Sequence, residues 1–300
     1  MAAPGVLPPE RRKRNERRSF GRMNSSENPN LDWGSSYKLN AAEKWKAKNA
    51  AMGRDVTIAL VEYARPRAGM KVLDLASGTG EPSITLAERV GPDGSVTALD
   101  LSAELLEVAA KRAEIRGLKN FSVRQGDAHA LPFPDQNFDL VTSRFGAMFF
   151  ADPDTAFREV HRVLKPNARV CLVAWGPFEQ PFWSTTMGVV HKHVGGPLLA
   201  AAQNPFKFAQ SGSLASILRS SAFQEVEEET RTLPWTWPGK PEEVWELMQA
   251  SATPFLPMMG RVSEHEKNRI DIEVLAAIGE YFDGASVRFG ASVVFVSGTK

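Results

Sequence analysis

The 300-residue chain contains a single cysteine, Cys171, and only five histidines. One cysteine cannot form a disulfide or a cysteine-based metal cluster within the chain. The histidines are scattered, with no His-Glu-x-x-His and no clustered carboxylates, so no recognisable ligand set is present and no metal is expected. Long hydrophobic runs are missing as well. The apolar stretches are strand-sized and interrupted, well short of the ~20 residues a spanning helix needs, and the first residues lack the apolar centre of a signal peptide. These absences exclude a membrane span and make a reducing cytoplasm the expected compartment.

Net charge is nearly absent too, at +1, yet it is unevenly spread. Arg11, Arg12, Lys13, Arg14, Arg17, Arg18 and Arg22 face only Glu10 and Glu16, so residues 1–22 carry +5 and the remainder −4. A Ser/Asn/Pro-rich spacer follows to Asn30. The expectation is a solvated, disordered tail over residues 1–30 that holds whatever attraction the chain has for acidic surfaces. With 43% hydrophobic and 24% charged residues, the rest can bury a substantial core and is expected to form one large domain.

Against this background the most informative stretch runs Val72-Leu-Asp-Leu-Ala-Ser-Gly-Thr-Gly-Glu-Pro82, a short apolar run ending on a Gly-x-Gly turn before a helical pattern. Gly78 and Gly80 lack the Cβ atoms that keep backbone away from a ligand, and they permit a tight strand-to-helix turn. Ser83 stands where a dinucleotide fingerprint would have its third glycine, which weighs against a nicotinamide cofactor. Asp100 closes a second strand pattern 20 residues after Gly80, at the distance where an acidic side chain accepts from ribose hydroxyls. Gly126-Asp127-Ala128 follows a third strand pattern, Phe121–Arg124. Strand and helix patterns alternate through Lys71–Ala174, which predicts a doubly wound α/β sheet with its ligand at the carboxyl ends of the strands. Ser102 is the expected N-cap of the helix from Ala103, and Gly117 its terminator.

The order and wording of these segments resemble a known family. Asp74-Leu-Ala-Ser-Gly-Thr-Gly-Glu81, Ala98-Leu-Asp-Leu101, Gly126-Asp-Ala128, Leu131-Pro-Phe-Pro-Asp-Gln-Asn-Phe-Asp139 and Arg158-Glu-Val-His-Arg-Val-Leu-Lys-Pro166 are similar to the core of class I S-adenosylmethionine-dependent methyltransferases, particularly the ubiquinone and menaquinone biosynthesis C-methyltransferase type. Asn167 departs from the glycine that commonly follows Lys-Pro there.

That resemblance implies S-adenosyl-L-methionine as cofactor and a Rossmann-like seven-stranded sheet with helical insertions forming an acceptor lid. The implied organisation is the tail over 1–30, an N-terminal helical lid over 31–66, the cofactor-binding core over 67–176, and acceptor-side insertions with C-terminal strands of the same domain over 177–300. Backbone from Ala76 through Ser77 and Gly78 to Gly80 would approach the methionine and ribose portions of the cofactor. Asp100 would accept from the ribose and Asp127 from the adenine amino group, with Leu101 and Ala128 sandwiching the ring and Gly126 leading into that loop. Asp74 would support the glycine turn or meet the methionine ammonium. Ser143, Arg144 and Phe145 would follow the fourth strand toward the methyl group, and the lid would bring Tyr37 and Trp45 over the cofactor. Asp139, His129 and His161 are expected to be structural.

After Trp175 the chain gains aromatic and methionine residues, the material of an apolar acceptor wall. Phe145, Trp175, Phe178, Trp183, Trp235 and Phe255 are the expected acceptor contacts. Trp235-Thr-Trp237-Pro238 has no adjoining basic cluster, so a small molecule is expected as partner, and nucleic acid is not. His191 and His193 are the weak candidates for a base. The reading is methyl transfer to carbon or oxygen, with nitrogen left open, on a small, largely apolar or aromatic acceptor, by a monomer or homodimer. Positioning and desolvation would do most of the work. RNA or protein methylation using the basic tail, and a non-catalytic cofactor-binding role, are the alternatives.

Overall fold

The computed structural model describes Met1, residues 48–199 and residues 204–300. The basic tail, Tyr37 and Trp45 therefore lie outside the described residues, as does most of the expected lid.

Seven strands form one sheet in the order β3-β2-β1-β4-β5-β7-β6. They are β1 (Lys71–Leu75), β2 (Ser95–Asp100), β3 (Phe121–Gln125), β4 (Phe138–Arg144), β5 (Leu164–Trp175), β6 (Gln224–Trp237) and β7 (Val287–Thr299). Strands β1 to β5 pair in parallel, whereas β7 runs antiparallel to both β5 and β6. Central strands are apolar on both faces, as Val72, Leu73 and Leu75 show in being fully buried. Parallel strands covered by helices on both sides require that pattern.

Helices α2 (Ser83–Val90) and α3 (Ala103–Ile115) pack over β1 to β3 and α1 (Arg54–Ala64) over β4 to β6, while α4 (Pro153–Val163) with α7 (Ser213–Ser220) covers β5 to β7. Local signals account for their starts. Ser102 accepts the Leu105 N–H as the N-cap of α3, and Asp152 accepts the Thr155 N–H ahead of Pro153 at the first turn of α4. Helix α4 buries Ala156, Phe157, Val160 and Val163, one apolar stripe at helical spacing. No helix separates β3 from β4, so residues 126–137 cross without a helix from the carboxyl end of β3 to the amino end of β4.

The second half adds α5 (Pro181–Ser184), α6 (Met187–Val194), α8 (Pro241–Ser251), α9 (Leu256–Met259) and α10 (Glu264–Gly279). Strands β6 and β7 are longer than the patterns at Glu225–Leu233 and Ser292–Ser297 predict, with the register running from Gln224 opposite Thr299 to Trp237 opposite Val287. Pro234 stops a sequence-based strand, but β6 is an edge strand, where one side of the backbone has no ladder to lose. That extension carries Trp235 and Trp237 past the body of the sheet.

Asp139 is structural: it accepts from the Lys71 N–H at 2.9 Å and from Lys165 Nζ at 2.7 Å, at the end of the sheet opposite the glycine turn. Asn167 has φ 61°, a left-handed conformation that asparagine tolerates better than other side chains, which accounts for its replacing glycine. Cys171 is buried, and burial pushes its thiol up to about 12. Among the described residues no helix is long and apolar enough to cross a membrane, and no group of three or more His, Cys, Asp or Glu is placed to hold a metal ion.

Candidate active site

The turn after β1 is built for close approach. Ala76, Gly78 and Gly80 all have positive φ, at 50°, 52° and 107°. Alanine in that region carries strain of roughly 1 kcal/mol or more, held here by the surrounding packing. The Ser77 N–H donates to the Leu99 carbonyl and the Gly80 N–H to the Ser77 carbonyl, closing the turn. A Cβ on Gly78 would meet no protein atom within 4 Å, so its absence leaves space on the cleft side. A Cβ on Gly80 would come within 2.9 Å of Ile84 Cδ1 and 3.1 Å of Ala109 Cβ, so that glycine serves packing against α2 and α3.

A cleft of about 760 Å³, its open mouth included, lies against this turn. Ala76, Gly78, Asp100, Leu101, Gly126, Asp127, Ala128 and Phe145 line it, together with His129, Phe149 and Phe150. Asp100 Oδ2 accepts the Gly78 N–H at 2.8 Å and Oδ1 the Ser102 N–H at 2.9 Å. The carboxylate thus ties the β2 end to the glycine turn while bordering the cleft. Asp127 Oδ1 accepts both the backbone N–H of His129, at 2.9 Å, and its Nδ1, at 2.5 Å. His129 Nε2 in turn accepts the Asp152 N–H at 3.1 Å, which assigns the proton to Nδ1. Partial burial pushes the Asp127 carboxyl up, but the hydrogen bonds from His129 outweigh it and hold the group below the usual range. His129 is structural as expected, yet it also lines the cleft, which the sequence pattern did not signal.

Five of the expected cofactor residues do not line the cleft. Gly80 packs as described. Ser77 is buried with its Oγ unpartnered. Asp74 is fully buried, accepting Thr142 Oγ1 at 2.7 Å on Oδ1 and the Ser83 hydroxyl on Oδ2. Its place is therefore support of the turn from below, and burial pushes its carboxyl up to about 7. Ser143 is also buried and donates to the Leu75 carbonyl at 2.9 Å, tying β4 to β1. Arg144 turns toward the start of α1, its Nη1 donating to Gly53 O at 3.2 Å and Thr57 Oγ1 at 2.8 Å, with Nε buried and unpartnered.

The two strand ends touch at Gly146. A Cβ there would lie 2.4 Å from Ala76 Cβ and 2.6 Å from Ser143 Oγ. Gly146→Ala is expected to lower stability by roughly 1–3 kcal/mol, the usual cost of overpacking. A lower thermal midpoint together with weaker cofactor binding would show it.

A second cavity of about 660 Å³, its open mouth included, adjoins the first, and Phe149 lines both. Trp175, Trp183, Trp235 and Phe255 border it as the aromatic pattern predicts, joined by Phe182, Met52, Asn49, Leu247 and Met248. Phe145, which has φ 58° and sits on the cleft side, stacks on Trp175 at 4.3 Å and 11°. Trp175 meets Trp235 at 5.0 Å and Trp183 at 5.3 Å, both near perpendicular. Phe178 is displaced from the expected set: it lies behind the wall against Phe206 and Phe255. Asn49, Met52 and Phe149 carried no signal in sequence, since they belong to elements far along the chain from the aromatic half.

His191 and His193 line neither cavity. His191 Nε2 donates to the Gly196 carbonyl at 2.9 Å, and His193 Nε2 pairs with Glu273 of α10 at 2.8 Å. Helix α6 spends both on local packing, so they are withdrawn as candidate bases. Among the described residues no ionisable side chain borders the second cavity.

The family model described as "Methyltransferase domain" matches residues 66–186. The demethylmenaquinone methyltransferase of Geobacillus stearothermophilus is 36% identical over 172 residues, which is 53% of this chain and 73% of that protein. The nocamycin O-methyltransferase of Saccharothrix syringae is 31% identical over 220 residues, covering 65% of this chain and 78% of its own. Among solved structures, the YcgJ protein of Bacillus subtilis superposes with a TM-score of 0.52 over 81% of this chain and 97% of its own, at 22% identity, a likeness of fold. With the sheet order, the glycine turn and the acidic strand ends in place, the chain belongs to the class I S-adenosylmethionine-dependent methyltransferases.

Proposed function

We propose that this enzyme methylates a small, largely apolar or aromatic acceptor bound in the second cavity, by positioning and water exclusion. The observation that carries this is the pairing of the cavities: an aromatic chamber without a described ionisable wall opens beside the cofactor cleft across Phe149. Relatives named as a demethylmenaquinone methyltransferase and a nocamycin O-methyltransferase support a small-molecule acceptor.

The residues present suit the cofactor. Unpartnered Ser77 Oγ and Arg144 Nε sit on the two strand ends that meet at the turn, and the missing Cβ of Gly78 leaves room beside them. Gly78, Asp100 and Leu101 would hold the ribose side, Asp127 and Ala128 the adenine, and the backbone of the turn from Ala76 to Gly78 the methionine end. When bound, S-adenosylmethionine supplies a methyl carbon made electrophilic by its sulfonium. Phe149 and Phe145 then separate the cofactor from bulk water while the tryptophan wall orients the acceptor, and proximity supplies much of the barrier reduction. No described side chain is placed to remove a proton from the acceptor, which suits an acceptor that is already nucleophilic or that loses its proton after transfer.

A screen of small phenols, enols and heteroaromatics for release of S-adenosylhomocysteine tests the reading. With any acceptor that turns over, Trp175→Ala is expected to raise the acceptor KM by tenfold or more and to leave cofactor affinity within about twofold. Unchanged acceptor kinetics in that variant would place the acceptor elsewhere.

A further inference from the structure

Phe149 is shared by the two cavities, so whatever holds residues 146–152 in place sets the geometry of both. The segment begins as a 3-10 turn, Ala147–Phe149, and the Phe149 and Phe150 N–H groups bond back to the Gly146 and Ala147 carbonyls. Beyond the turn, two backbone groups are answered by side chains from different elements. The Asp152 N–H donates to His129 Nε2 at 3.1 Å, and the Phe150 carbonyl accepts from Lys207 Nζ at 2.7 Å. His129 comes from the loop after β3 and borders the cofactor cleft, where its Nδ1 also bonds Asp127 Oδ1. Its ring meets Phe150 edge-on at 6.0 Å. Lys207 comes from the acceptor side: Pro205, two residues earlier, borders the second cavity, and Phe206 packs on Trp183. The lysine is half-buried, with Nζ 5.1 Å from the centre of the Phe208 ring. Among the described residues no carboxylate pairs with it, and burial pushes its ammonium down to about 8. Hydration and rotamer freedom are given up for one backbone carbonyl, an exchange that a segment without a fixed position does not require.

We infer that His129 and Lys207 are positioning residues that clamp residues 146–152 between the two cavities and couple them, so that a cofactor held at Asp127 improves the fit of the acceptor cavity. The acceptor half of this inference rests on the proposed use of the second cavity. Asp127 Oδ1 is occupied by His129, which leaves Oδ2 for the adenine amino group. Adenine bound there fixes the carboxylate, and the carboxylate fixes the imidazole through its Nδ1–H. Nε2 then fixes the Asp152 N–H, and with it the Phe149 ring that both cavities share. Lys207 supplies the second hold. Without it the segment follows the adenine loop alone, and the wall of the second cavity is not fixed against the turn that carries Pro205. Coupling of this kind is reciprocal, so an occupied acceptor cavity tightens cofactor binding by the same factor.

The test is equilibrium dialysis of naphthalene, an apolar probe of the second cavity, against the full-length enzyme with and without saturating S-adenosylhomocysteine. The wild type is expected to bind naphthalene about fivefold or more tightly when S-adenosylhomocysteine is present, the lower end of usual coupling. His129→Ala and Lys207→Met are each expected to bring that ratio below about twofold, with naphthalene affinity for the cofactor-free enzyme kept within about twofold of wild type. His129→Gln can return an oxygen acceptor to the Asp152 N–H, and Lys207→Arg returns a cation to the Phe150 carbonyl. Both are expected to restore a ratio of about threefold or more. Residues with a merely structural role would lower affinity in both states and leave the ratio alone. A wild-type ratio below about twofold, or an unchanged ratio in either His129→Ala or Lys207→Met, would overturn the clamp and leave the acceptor cavity standing. If naphthalene binds in neither state although S-adenosylhomocysteine does, the second cavity is not an apolar acceptor site and both readings fall. The wild-type ratio and the conservative variants decide even if His129→Ala does not fold.

Discussion

Replacing Asp100 by alanine is expected to weaken S-adenosylmethionine binding by about 100-fold or more. Hydrogen bonds to a charged acceptor contribute roughly 1.5–3 kcal/mol each, and two ribose hydroxyls on one carboxylate bring the loss to about 3 kcal/mol or above, which is at least a hundredfold in Kd. A structural loss adds to this. The same carboxylate receives the Gly78 and Ser102 N–H groups, so its removal frees the glycine turn from the β2 end and unpairs two backbone donors. Asp100→Asn keeps one acceptor oxygen but sets an NH₂ against one of those N–H groups, and its affinity should fall between wild type and alanine. Calorimetric titration with S-adenosylmethionine and S-adenosylhomocysteine measures both. Affinity within threefold of wild type in the alanine variant would remove Asp100 from the cofactor site.

The second large effect is a pH dependence of stability that belongs to Asp74. Burial raises its folded pKa from 3.8 to about 7, the hydroxyls of Ser83 and Thr142 and the charge of Arg144 opposing the shift only in part. Between those values the folded chain holds a proton that the unfolded chain has released. The stability linked to Asp74 is therefore fully present below about pH 4, declines as pH rises, and is lost above about pH 7. At 1.36 kcal/mol per unit, the shift corresponds to about 4 kcal/mol. Asp74→Asn cannot ionise. Subtracting its unfolding free energy from that of the wild type across pH 4–8 should isolate a falling curve of that order, with the variant gaining on the wild type toward alkaline pH. A flat difference curve would mean that Asp74 is charged throughout and paired more strongly than its neighbours suggest.

The nearness of Arg144 gives that curve a functional side. Its guanidinium is buried by β4 and the start of α1, where a Cβ on Gly53 would stand 2.7 Å from Nη1. Burial pushes the guanidinium pKa down, while the Glu81 and Asp74 charges push it back. The turn, the buried carboxyl and the guanidinium thus form one electrostatic unit beneath the cofactor cleft.

How far the chain can be read without coordinates differs between its halves. Through Trp175 the reading follows local chemistry: apolar runs end on glycine or aspartate, Ser102 caps a helix, and the strand ends that carry Gly78, Asp100 and Asp127 reach the cleft. Such features are legible because each is fixed within a few residues by backbone conformation or by a turn. The misplacements share one cause. Asp74, Ser143 and Arg144 lie near true cleft residues in sequence, but they still belong to central strands covered on both faces, so their side chains are buried against the helices while the residues just past the strand ends reach the cleft.

The second half shows the opposite balance. Its aromatic richness alone predicts an apolar wall, and Trp175, Trp183, Trp235 and Phe255 do meet in one chamber. Nothing local separates Phe178, which lies behind that wall, from Trp183, which forms it. Nor could composition reveal that His191 and His193 are held by Gly196 and Glu273. By itself, then, the sequence determined the family, the sheet and the acidic and glycine residues at the cofactor cleft, because strand ends and tight turns impose short-range rules on residue type. Only the tertiary structure decided which aromatic rings share the cavity and that Phe149 joins it to the cleft. Those facts depend on packing between elements distant in sequence, where side-chain direction is set by the whole sheet and its covering helices.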